Sequence, residues 1–152
     1  MRRDTKIVFA FVTAIPALIL GAAALCTWAV AHGASPQWRL LFRVLCHGIA
    51  TRCLTLWGTP MPICSRCVGI YLGMLAGLLA FLLIPRLRER VMRPIAFAAA
   101  VPLAVDGLTQ LARLRESTNT LRMETGLLAG LAFGLWILSA VEDRSQRAIP
   151  TP

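Results

Sequence analysis

The chain has 152 residues, 57% of them hydrophobic, with a mean hydropathy of +0.69. That is too apolar for an ordinary soluble domain and predicts a single integral membrane domain over 1–152. Its 16 Lys+Arg against 7 Asp+Glu give a net charge of +9, but these cations cluster at the ends of apolar runs, where they set topology and meet membrane lipids rather than nucleic acid.

The first apolar run, 7–31, is uncharged and contains Pro16. As a helix it extends roughly 37 Å, enough to cross a bilayer with some tilt. Arg2, Arg3 and Lys6 ahead of it resemble the basic start of a signal peptide. The run is nevertheless well beyond the roughly 7–15 apolar residues of a signal sequence, so it reads as a retained span. Bulky Leu25 before Cys26 argues against a lipoprotein cysteine and leaves Cys26 as a small apolar residue.

A cysteine-rich segment follows: Cys46-His47, then Cys53, then Cys64-Ser65-Arg66-Cys67. A C-x-x-C pair supplies two thiolates that reach one metal ion, and a distant Cys-His dipeptide completes a tetrahedral sulfur and nitrogen set. Cys46, His47, Cys64 and Cys67 make such a set, with Cys53 able to replace one ligand. Zinc is the leading ion, ahead of copper or iron. The same atoms admit a redox reading, because Arg66 beside the pair favours thiolate. A third reading is a disulfide staple with no chemistry of its own. No thioredoxin-like strand and helix pattern surrounds the motif.

The second run is 68–84 and the fourth is 125–141. Gly69, Gly73 and Gly77 repeat every four residues, as do Gly126, Gly130 and Gly134. Each set lies on one helix face and permits close backbone approach, which predicts tight helix packing. The third run, 94–112, contains Pro102 and Asp106. An acid within a span is costly and marks a functional position or a polar clamp. Gln110 and Arg113 follow at i+4 and i+7 on the same helix face, so Arg113 is a candidate partner of Asp106, through Gln110. Asp106, Gln110, Arg113 and Arg122 are the candidate catalytic residues. Asn119 or Thr120 is placed to cap the fourth helix. Arg115 and Arg122 suit a phosphate or carboxylate, or stand as solvated surface charges.

The positive-inside rule places both termini in the cytoplasm. Arg2, Arg3, Lys6, the Arg86–Arg93 linker and the Arg144–Arg147 tail then lie inside. The cysteine segment and the 113–122 loop face outward. Arg39, Arg43, Arg52, Arg66, Arg113, Arg115 and Arg122 also fall outside, and a functional surface would account for them.

Cys46-His47, Arg52, Pro62, Cys64, Arg66-Cys67, Gly69 and Tyr71 together resemble domain-of-unknown-function family 2085. Asp106-Gly107, Gln110, Arg115-Glu116-Ser117, Asn119, Arg122 and Thr125-Gly126 extend the resemblance to roughly 43–134. It implies a bacterial or archaeal cell-membrane protein, inner membrane in bacteria, and no particular activity. Cys53 lies outside the pattern and ranks last as a ligand. The expectation is an all-α, four-span membrane bundle with an outward Cys/His metal site and an accessory or transport-related role. A membrane thiol-disulfide oxidoreductase is the second reading. A lipid- or anion-handling enzyme using Asp106 and the arginines is the third.

Overall fold

The computed structural model describes residues 3–84 and 87–147, with side chains from Thr5 onward. Arg2 and Arg86, used above, lie outside the described residues. Four α-helices dominate: α1 (Arg3–Ala31), α2 (Ser65–Leu83), α3 (Glu89–Leu111) and α4 (Asn119–Arg147). Each is long and apolar enough to cross a membrane. The 19 residues of α2 rise about 28 Å, close to the hydrocarbon thickness of a bilayer. Large apolar side chains such as Phe11, Leu18, Leu83 and Phe97 point outward, as they do on a lipid-facing surface.

The apolar runs mark helix middles but not helix ends. α2 starts at Ser65 and α4 at Asn119, ahead of the predicted 68 and 125. Arg66, Cys67 and Arg122 are therefore helical residues, each in a first turn. Thr118 caps α4, its Oγ1 accepting the Leu121 N–H at 3.2 Å. This corrects the expected Asn119 or Thr120 cap. Asn119 instead uses its side chain to reach the carbonyls of Thr51 and Cys53, at 3.3 Å each.

The glycine ridges of α2 and α4 face each other. A Cβ on Gly73 would stand 2.2 Å from the Leu127 carbonyl oxygen, and one on Gly130 would stand 2.2 Å from that of Ile70. The two backbones are thus in direct contact, and any larger residue at these positions drives the helices apart. This contact carries Arg66 and Cys67 on α2 to the base of α4. By contrast, α1 buries only 11% of its most apolar stretch and lies at the lipid-facing margin of the bundle.

Thr5 on α1 donates to Glu142 on α4 at 2.6 Å, so the start of the first span and the end of the last lie together. The opposite end holds the α1–α2 connection and the α3–α4 loop. The α1–α2 connection contains a 3-10 helix (Pro36–Val44), a short 3-10 turn (Ala50–Arg52) and an antiparallel hairpin, β1 (Cys53–Leu56) and β2 (Thr59–Cys64). Trp57 and Gly58 turn the hairpin with φ of 51° and 73°, the two-residue geometry that matches strand twist. Pro60 and Pro62 deprive β2 of donors and leave it unable to extend into a larger sheet. The bundle is all-α as expected, and the hairpin is an addition confined to the connection.

Candidate functional site

The hairpin register pairs Cys53 with Cys64, and β2 runs directly into α2. Cys64 is therefore the junction residue, and Cys67 lies one helical turn further on. Cys46 reaches them from the end of the 3-10 helix, where its N–H donates to the Phe42 carbonyl at 2.9 Å. The Sγ atoms of Cys46, Cys64 and Cys67 all lie within 4.8 Å of one another. Cys64 Sγ is 3.5 Å from Cys67 Sγ, and no disulfide joins the five cysteines.

Cys46 is buried among Ala23, Met61, Ile63 and Val68. Hydrogen bonds from the Cys64 and Cys67 thiols hold its own thiol well below the ordinary range, with smaller help from the Gly48 and Cys64 backbone and against the cost of burial. The Cys64 N–H to Cys46 Sγ bond is 3.2 Å. Cys53 behaves oppositely. Burial and the neighbouring thiols push it up to about 11, and its thiol donates to the Ile49 carbonyl at 3.1 Å.

His47 does not belong to this group of thiols. Cys46 turns into the apolar nest, while His47 is exposed and lines the adjoining cavities. Gly48 makes this turn with a φ of +59°, and a Cβ there would meet the Pro62 carbonyl oxygen at 2.8 Å. Only glycine satisfies both constraints.

Next to the thiols is a chamber of about 730 Å³ lined by His47, Arg52, Arg66, Gly107, Gln110, Leu111, Arg113, Arg115, Glu116 and Arg122. A second crevice, touched by Cys46, Cys64, Arg52, Arg66, Gln110 and Arg122, joins chamber and thiols. Asp106 forms the floor of the polar network and is 3% exposed. It pairs with Arg66 from α2 and with Arg115 from the α3–α4 loop, the latter at 3.1 Å. Gln110 donates to Asp106 Oδ2 at 2.8 Å and accepts from Arg122 Nη2 at 2.9 Å.

Arg113 is not the partner of Asp106. α3 stops at Leu111 and Arg113 takes a φ of 56°, so the i+7 helical face expected for it no longer exists. It lines the chamber instead. Asp106, Gln110, Arg113 and Arg122 are thus at one site, but Arg66 and Arg115 make the ion pairs. Arg66 carried a signal in its place beside Cys67. The contact to α3 was invisible because it depends on the glycine packing of α2 on α4.

A family model described as "Predicted membrane protein (DUF2085)" matches residues 46–136, a segment holding every thiol of the cluster and every residue of the chamber. An uncharacterised protein of Methanocaldococcus jannaschii is 38% identical over 100 residues, covering 64% of this chain and 64% of the relative. The matched segment thus spans about two thirds of that relative's length. An uncharacterised protein of Methanothermobacter thermautotrophicus is 42% identical over 100 residues, covering 66% of this chain and 88% of the relative. No solved structure matches.

Proposed function

The chain belongs to the family of predicted membrane proteins DUF2085, and we propose that within its bundle Cys46, Cys64 and Cys67 hold one thiophilic metal ion, zinc first and copper or iron after it. The observation that carries this reading is the convergence of the thiols from separate elements. A tetrahedral ion with sulfur ligands at 2.3 Å needs sulfurs about 3.8 Å apart. The spacing here, from 3.5 Å to within 4.8 Å, brackets that value. A thiol already favouring the thiolate also lowers the cost of binding, because ligands must shed protons first.

Three sulfurs leave a fourth position to water or an exogenous ligand. A site with an open position suits exchange or delivery of the ion better than a closed structural site does. An accessory or transport-related role in metal handling follows. Elemental analysis with thiol counting tests it. The expected result is about one ion per chain, lost in Cys64→Ser/Cys67→Ser. Metal-free protein with freely alkylated, native-like thiols overturns it. The 3.5 Å contact of Cys64 with Cys67 also suits a disulfide, and a reversible one in metal-free protein would favour thiol-disulfide exchange instead.

The same reading takes both termini as cytoplasmic and the thiols as outward-facing, in a cell membrane. Five arginines at the thiol end, Arg52, Arg66, Arg113, Arg115 and Arg122, line the chamber. They serve the site and not the topology, which supports counting the opposite, Lys/Arg-rich end as inside. A membrane-impermeant thiol reagent applied to intact cells labels the cluster if this is right and spares it if the orientation is reversed.

A further inference from the structure

We propose that the arginine chamber binds a phosphoryl oxyanion, carried by an anionic lipid headgroup or by free phosphate. This goes beyond the metal reading and does not depend on it. Charge balance carries the argument. The chamber is lined by Arg52, Arg66, Arg113, Arg115 and Arg122 against a single acidic lining residue, Glu116, and among the described residues the ion pairs here are those of Asp106 with Arg66 and Arg115. One buried carboxylate is thus shared by two guanidiniums, while Arg52, Arg113 and Arg122 have no carboxylate within 4.0 Å among the described residues.

Arg122 is the decisive residue. It is 6% exposed, and its bonds go to the neutral side-chain oxygens of Gln110 and Asn119. Arg52 and Arg66 act on it as like charges, ahead of the opposing attraction of Asp106 and Cys64. A buried cation held only by amide oxygens is costly, and an anion in the chamber removes that cost. Arg66 Nε is also buried without a hydrogen-bond partner. Such donors in a fork geometry match the several acceptor oxygens of a phosphoryl group.

Size and surroundings fit a group with substituents. The chamber, at about 730 Å³, is much larger than a bare phosphate ion. Leu111 and the neighbouring Leu114 are both highly exposed, at 81% and 76%, at the end of α3. Trp38, Leu41 and Val44 are exposed on the 3-10 helix of the same end. Apolar and aromatic groups beside a cationic pocket are the setting in which a lipid headgroup docks.

The test uses the full chain in detergent and in nanodiscs. In one arm, potassium phosphate is titrated against potassium chloride at matched ionic strength, with thermal stability as the readout. In the other, nanodiscs of phosphatidylglycerol and of phosphatidylcholine are compared by the lipid retained in native mass spectrometry. At least one arm shows specific binding, weakened about tenfold or more by Arg52→Gln/Arg113→Gln, whose side chains have no hydrogen-bond partner among the described residues to lose. Arg144→Gln/Arg147→Gln, at the opposite end, leaves it unchanged. Response in the phosphate arm alone identifies a free anion, and response in the lipid arm alone identifies a headgroup. Silence in both arms, or equal loss in the Arg144/Arg147 control, overturns the proposal. Cys64→Ser/Cys67→Ser retains the anion, so failure of the metal reading is told apart from failure of this one.

Discussion

Arg66 and Asp106, 40 residues apart in the chain, form an ion pair that ties the first turn of α2 to the last third of α3. Arg66 is next to Cys67, so this pair also sets where α2 presents its thiol. Asp106→Asn leaves Arg66 and Arg115 without their counter-charge. The expected cost is about 2–3 kcal/mol, somewhat below that of a fully buried pair because Arg115 is half exposed. Thermal unfolding in detergent measures it. Combining Asp106→Asn with Arg66→Gln should cost less than the sum of the single variants; strict additivity would show that the pair contributes nothing.

The glycine contact of α2 with α4 predicts a sharp positional contrast. Gly73→Ala and Gly130→Ala place a Cβ 2.2 Å from a facing carbonyl oxygen, so backbone must move. A loss of about 1–3 kcal/mol each is expected. Gly21→Ala on α1, with nothing within 4 Å of the added carbon, should be neutral or slightly stabilising. Equal effects at Gly21 and Gly73 would show that the helices are not in backbone contact.

Gly48→Ala should disperse the thiols without touching one. The substitution combines a φ of +59° with a Cβ 2.8 Å from the Pro62 carbonyl oxygen. Relief of the clash shifts Cys46 relative to Cys64. Bound metal should fall several-fold while helix content by circular dichroism stays constant. Wild-type metal content in this variant would mean that Cys46 is not a ligand.

The pH response of Cys53 has a definite sign. Its thiol moves from 9.0 to about 11 on folding, so the neutral form is the one the fold favours. Its contribution to stability is fully present below about pH 9 and is lost as pH rises through about 11. Cys53→Ala should therefore flatten the alkaline limb of the stability profile. Alkylation of the native protein at neutral pH should modify Cys53 last. Early modification of Cys53 would contradict its burial.

The membrane class, the approximate spans and the residue types of the site are legible in the chain's own pattern. Four apolar runs have no soluble solution, and glycines every four residues have little use other than close helix contact. The pattern also made Asp106 conspicuous, because an acid at membrane depth is expensive, and it marked the thiols by their C-x-x-C and Cys-His spacing. Which side chains meet follows from how the helices pack. Periodicity nominated Arg113 for Asp106 by extending a helix that in fact ends at Leu111. The real partners come from α2 and from a loop, through contacts no local pattern encodes. The hairpin that delivers Cys64 was hidden because Trp57-Gly58 is an unusual turn pair and prolines interrupt β2. His47 looked like a ligand by adjacency to Cys46, yet the turn at Gly48 leaves it exposed beside the arginine chamber. Hydrophobic pattern specifies which segments are buried in lipid. The pairing of charges and thiols depends on distances between segments, and these arise only when the helices pack.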